Sequence, residues 1–169
     1  LSIVMKASLT ISSEIVLEKL LKKMMDMLVA NAGAQKGFLI LENYDDNKLY
    51  IEAQGAVDEE IKMLESVPIG ASKDLSVALV NLVNKTKKYI VLNNASEEGD
   101  FVKDAYIIKN KIKSVLCMPI IHKGISSGIL YLENNLSTDA FTKERLELLQ
   151  ILSAQAAISI MNARLLLHR

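Results

Sequence analysis

The segment SVLCMPIIHKGISSGILYLEN, Ser114 to Asn134, decides how the rest of the chain is read. Two apolar runs, Val115 to Ile121 and Ile125 to Leu132, flank His122-Lys123-Gly124. Such a pattern reads as a β-hairpin closed by a three-residue loop, with Gly124 at the φ > 0 position and Ile121 opposite Ile125. Both arms are too apolar for a sheet with one wetted face, so other elements must cover both sides.

Downstream, Ser137-Thr138-Asp139 leads into a helix from about Thr142 to the end, with Thr142 as its cap. It carries two apolar tracks. One is Leu149, Leu152, Ala156, Ile160, Ala163 and Leu167, at heptad-like spacing. The other is Leu148, Ile151, Ala154, Ile158, Met161 and Leu165. A helix lying on a sheet needs one track. Two imply burial on two sides, the second either against another chain or wedged between the sheet and the first helix.

Upstream, Ser12 and Ser13 can cap a helix running from about Ser13 to Ala32, with Gly33 as its C-cap. Leu1 to Leu9 reads as the end of an upstream helical or linker piece, so residues 1–12 are set apart from a single domain over 13–169. Gly37–Leu41 and Lys48–Ala53 read as strands around the polar turn Asn43–Asn47. Asp58–Ser66 reads as a short helix with acids in its first turn. Val67-Pro68-Ile69 is at most an edge strand. Asp74 to about Asn84 reads as a helix, Tyr89–Leu92 as a strand and Asp104–Lys111 as a short helix after the polar loop from Asn93. Helices segregated around an antiparallel sheet make an α+β fold.

Composition narrows the functions. The chain of 169 residues fits one domain. Twenty basic and twenty acidic residues cancel, which leaves no field to attract nucleic acid or an anionic membrane. No apolar run approaches the roughly 18–20 residues of a membrane span, and the start lacks the features of a signal peptide. One cysteine, Cys117, excludes an internal disulfide and a multi-cysteine metal site. Two histidines, His122 and His168, stand far apart, so no metal site is expected. A reduced, cytoplasmic setting is the expectation. No nucleophile–base–acid set and no phosphate-cradling Gly-rich loop is present, so the chain reads as a non-enzyme.

With these elements in order, SVLCMPIIHKGISSGILYLENN followed by FTKERLELLQILSAQAAISIMNARL resembles the closing half of a GAF domain. The opening helix with NAGAQKGFLILEN resembles its first half. The wording VMKASLTISSEIVLEKLL before NAGAQKG is similar to GAF domains inside large bacterial multi-domain sensor kinases of the histidine and serine-threonine types. The resemblance implies a six-stranded antiparallel sheet with the terminal helices on one face. It implies a pocket on the other, roofed by Val57–Lys73 and Asn93–Lys113. It further implies a regulatory, non-catalytic module that binds an unidentified small molecule and/or dimerises through its terminal helices and reports to kinase output domains. A structural dimerisation spacer, its pocket filled by Tyr131, Leu41, Phe101 and Met118, is the other reading.

Strand alternation about the hairpin puts Val115, Cys117, Ile129, Tyr131 and Glu133 on one face, and Leu116, Met118, Gly128, Leu130 and Leu132 on the other. Gly128 suits close helix packing, which assigns the second set to the helices and the first to the pocket. Tyr131 is then the leading ligand contact, with Ile129 and Cys117 beside it; the alternative is a core tyrosine with its hydroxyl tied to a loop carbonyl. Asn93, Phe101 and Tyr106 come from the roof and are further candidates. Cys117 lies mid-strand without a neighbouring histidine, which speaks against bilin attachment. His122 at the hairpin tip does not suit haem. A lone thiol cannot complete the sulfenic-acid chemistry of the reductases on this fold. The Asn134, Phe141 and Lys143-Glu144-Arg145 stretch matches only part of the pattern found in cyclic-nucleotide-binding members.

Overall fold

A computed structural model describes residues 33–56 and 59–167, together with 18, 19, 22, 23, 25 and 26, which are helical. The proposed boundary at residue 12 and most of the first helix lie outside these residues. The strands are β1 (Lys36–Glu42), β2 (Leu49–Ala56), β3 (Lys62–Pro68), β4 (Ile90–Leu92), β5 (Ser114–His122) and β6 (Ile125–Asn134). They form one six-stranded sheet in the order β3-β2-β1-β6-β5-β4, antiparallel at every pairing. The helices are α1 (Val77–Thr86), α2 (Ala105–Asn110) and α3 (Lys143–Leu167), with a 3-10 turn at Ile69–Ala71.

Apolar residues fill both faces of the sheet, as the composition of the hairpin requires. Leu39, Leu41, Leu116, Met118, Leu130 and Leu132 pack with Met25 of the first helix and with Leu149, Ala156, Ala157 and Ile160 of α3. Phe38, Ile40, Val115, Cys117, Ile129 and Tyr131 pack with Leu79, Val80 and Val83 of α1, with Ile107 of α2, and with Ala95 and Ile112 of the adjoining loops. Across Val115–Met118 and Ile129–Leu132, even-numbered residues therefore meet α3 and odd-numbered residues meet the roof. Leu41 and Met118 lie on the α3 side, so they cannot fill the roof side as the spacer reading supposed.

The hairpin reaches this arrangement by a different register. His122 pairs with Ile125, leaving Lys123-Gly124 as a two-residue turn. Both turn residues have positive φ, 50° and 76°, the backbone of a type I′ turn, whose twist matches the flanking strands. A bulge then intervenes: Ile121 pairs with Ser126 but Ile120 with Gly128. Each one-residue change by itself would turn the strand over. Together they cancel, so the expected faces survive.

Gly128 has a different partner from the one expected. A Cβ there would stand 2.3 Å from the carbonyl oxygen of Ile40 and 2.6 Å from Leu41 Cδ2. The close neighbour is the next strand, β1, rather than the helix.

The segment expected as a helix over Asp58–Ser66 is instead strand β3 from Lys62 onward. Its Met63 pairs with Ala53 and its Val67 with Ile51. Local acids at 58–60 suggest a helix start, but the open edge of β2 offers a ladder of backbone partners that a short helix would leave unmade. The strand ends at Pro68, as an edge permits.

Helix α1 starts later than Asp74, because Ser76 takes the cap. Its side chain accepts a hydrogen bond from the Leu79 amide at 3.3 Å. Asp104 caps α2 in the same way through the Ile107 amide at 3.3 Å. Ser76→Ala is expected to lower stability by about 1 kcal/mol, read by urea unfolding. A change below a few tenths would show that the buried amide finds another acceptor.

Candidate functional site

Glu133 is fully buried, with 0% of its surface exposed, on the roof side of β6. An acid in that position must find donors and a cation. Tyr131, two residues earlier on the same face, donates to Glu133 Oε2 at 2.5 Å. Tyr106 of α2 donates to the same oxygen at 2.7 Å. Lys36, the first residue of β1, brings its ammonium 3.4 Å from Glu133 Oε1. Asn135 adds an amide donor to that oxygen at 3.3 Å.

Two roof segments hang on this carboxylate. The Lys36 ammonium donates to the Asp74 carbonyl at 2.8 Å and to Tyr106 Oη at 3.0 Å. Tyr131 Oη accepts from the Ser76 amide at 3.2 Å. The strap before α1 and the helix α2 are thereby pinned to β1 and β6 through one set of polar contacts. Rings complete the surroundings: Lys36 Nζ lies 5.7 Å from the Phe38 centroid and 5.6 Å from that of Tyr106. Burial, and then the charge of Glu133, pushes both tyrosine hydroxyls well above their ordinary pKa. They stay protonated and act as donors. Burial also raises the Cys117 thiol, which leaves little of the reactive thiolate.

Of the residues singled out from sequence, Tyr131 and Tyr106 meet at Glu133. Tyr131, Ile129 and Cys117 are each 0% exposed. The Tyr131 hydroxyl is tied to a carboxylate and an amide, not to a loop carbonyl. Phe101 packs against the edge of the roof-side core. Asn93 is not brought to the cluster: its side is exposed and its carbonyl accepts from the Asp139 amide at 2.9 Å. Of the expected roof segment Val57–Lys73, residues 62–68 form β3 and extend the sheet, while Ile69 just after it packs into the roof-side core; α1 covers the rest through Leu79, Val80 and Val83.

Lys36 is the residue that sequence reading missed, and Glu133, placed on the pocket face by alternation, was not singled out as a candidate. Glu133 carried a signal, an acid on the inward face of an apolar strand. Lys36 carried none, because only the β1–β6 pairing, which sets it opposite Glu133, shows its role.

Open clefts lie elsewhere. One of about 520 Å³ lies between Lys87–Tyr89, Met118, Pro119 and Ile121 of β5, and Gln150, Ser153 and Ala154 of α3. Others of about 380 Å³ and 550 Å³ lie beside Asn47, Ile69 and Asn81 and beside Asn94, Lys111 and Thr138. None of these three touches Tyr131. Among the described residues, no three His, Cys, Asp or Glu side chains come together to hold a metal ion.

A family model described as the GAF domain matches residues 16–160. The chain belongs to the GAF family. This GAF domain is similar to the hybrid signal transduction histidine kinase G of Dictyostelium discoideum, 41% identical over 92 residues, which covers 54% of the chain and 3% of that kinase. It is 28% identical over 169 residues to the peroxide stress-activated histidine kinase mak3 of Schizosaccharomyces pombe, covering 98% of the chain and 7% of mak3. The chain thus spans a small part of the curated relatives it matches. In fold it is similar to the crystal structure of the GAF domain from an Acinetobacter phosphoenolpyruvate-protein phosphotransferase, with TM-score 0.67, 19% identity, and 97% and 96% of the two chains covered.

Proposed function

We propose that this GAF domain is a regulatory, non-catalytic sensor module of a cytoplasmic signal-transduction kinase, working as a homodimer joined through its terminal helices. The observation that carries the reading is the outer face of α3. Its inner track, Leu149, Ala156 and Ile160, is buried on the sheet. On its outer track, Leu148 is 40% exposed, Ile151 59% and Ile158 41%. A second copy of α3 would remove that track from water. The similarity to histidine kinases supports the output assigned here. A small molecule that favours one arrangement of the roof would shift how the α3 pair packs, and α3 would carry that change onward.

By length and composition alone α3 could cross a membrane, over Lys143–Arg164. Its packing on β5 and β6 accounts for one apolar side, and the dimer accounts for the other.

Ile151→Glu is expected to weaken the dimer at least about tenfold while leaving the circular dichroism spectrum unchanged, since an isoleucine buried at an interface is worth about 1.5–3 kcal/mol. Sedimentation equilibrium reads this. An Ile151→Glu chain that dimerises as tightly as the parent removes the dimer from the proposal.

A dimerisation spacer without ligand is the second reading, favoured by the complete burial of Tyr131, Ile129 and Cys117. Native mass spectrometry of the protein as purified separates the two: added mass lost on denaturation supports the sensor, and a bare chain supports the spacer.

A further inference from the structure

The surroundings of the Lys36 ammonium are those of a bound cation. Three acceptors face its three N–H groups: the Asp74 carbonyl at 2.8 Å, Tyr106 Oη at 3.0 Å and Glu133 Oε1 at 3.4 Å. The Phe38 and Tyr106 rings stand 5.7 Å and 5.6 Å away, within the range where an aromatic face attracts a cation. Glu133 is fully buried and cannot be left without a counter-charge.

We propose that this cage is a recognition site for a primary ammonium group, filled in this structure by Lys36 as a tethered occupant. The acceptors come from the sheet and from both roof segments, whereas the occupant is one flexible side chain. That side chain keeps 27% exposure, so the cage has a route to solvent along it. Lys36 belongs to the cage only through its head group; every other contact is made by rings, by the Tyr106 hydroxyl, by backbone or by Glu133. An organic amine with a primary ammonium head is the ligand class whose charge the cage accepts. Asp74 and Tyr106 lie in the roof, so the body attached to the ammonium decides how the roof closes. This deepens the sensor reading and rests on it for its role in signalling, though not for the chemistry of the site.

The test removes the tether and supplies its head group free. n-Butylammonium is the lysine side chain as a separate molecule and stays charged at neutral pH. Lys36→Ala is expected to melt lower than the wild type. n-Butylammonium is expected to restore at least half of that loss with a saturable dose dependence, and n-butanol, its neutral counterpart, is not. Adding Glu133→Gln to Lys36→Ala is expected to abolish the restoration. If Lys36→Ala does not fold alone, its refolding yield with n-butylammonium against n-butanol is read instead. Equal effects of amine and alcohol, or restoration that survives Glu133→Gln, overturn the site. Restoration of the variant, with a wild-type chain whose α3 dimer ignores amines, keeps the site and removes its sensing role. Failure of restoration leaves the sensor reading where it stood.

Discussion

Lys36→Met is expected to destabilise the domain by about 3 kcal/mol, and adding Glu133→Gln to it is expected to recover about 1–2 kcal/mol of that loss. Removing the cation leaves Glu133 without its counter-charge in a site with no exposure to water. Breaking a buried ion pair from one side has effects of about 3–5 kcal/mol, and the low end applies here because Lys36 is partly exposed, at 27%. Glutamine keeps an acceptor for Tyr131 and Tyr106 but carries no charge, so it relieves the variant that lacks lysine. Glu133→Gln by itself should be milder than Lys36→Met, since the unpaired ammonium can turn toward solvent. Urea unfolding of the four proteins measures all of this. A double variant no more stable than Lys36→Met alone would show that Glu133 is held by its tyrosine donors and that the ion pair contributes little.

Gly128→Ala is expected to cost about 3 kcal/mol or more, the upper part of the range for overpacking. The added methyl would sit 2.3 Å from the carbonyl oxygen of Ile40 and 3.3 Å from its carbonyl carbon. Those atoms are backbone of β1, which pairs with β6 in the middle of the sheet, so they cannot turn aside as a side chain could. Gly37→Ala provides the contrast. Its Cβ would stand 2.5 Å from Leu132 Cδ2, the end of a flexible side chain, and a loss of about 1–2 kcal/mol is expected. Thermal unfolding of both variants decides the point. A Gly128→Ala protein as stable as Gly37→Ala would mean that β1 and β6 can separate locally without loss.

The sensor and spacer readings meet at the roof. In this structure the roof is pinned through Glu133 at Tyr106, and through Tyr131 at Ser76. A ligand that acts from this face must therefore exchange polar contacts as well as fill space. The exposed apolar track of α3 lies on the far side of the sheet, so any signal from the roof passes through β5 and β6, which contact both α1 and α3. A packed sheet with two buried faces transmits such a shift because neither face can deform freely.

Periodicity in the sequence determined the hairpin, its two faces and the two tracks of α3. These are local properties: alternation repeats every two residues and helical spacing every 3.6, and neighbours in sequence suffice to show them. Tertiary structure alone decided the rest. The sequence of 58–66 favours a short helix, and only the unpaired edge of β2 makes part of it a strand. The turn and the bulge of the hairpin each depend on pairing geometry, which composition does not encode. Lys36 and Tyr106 stand 70 residues apart, and nothing near either of them announces a shared partner. Glu133 is where the two kinds of information divide: alternation placed it facing inward, and only the pairing of β1 with β6 and the packing of α2 supplied the cation and the donors that let a carboxylate stay there.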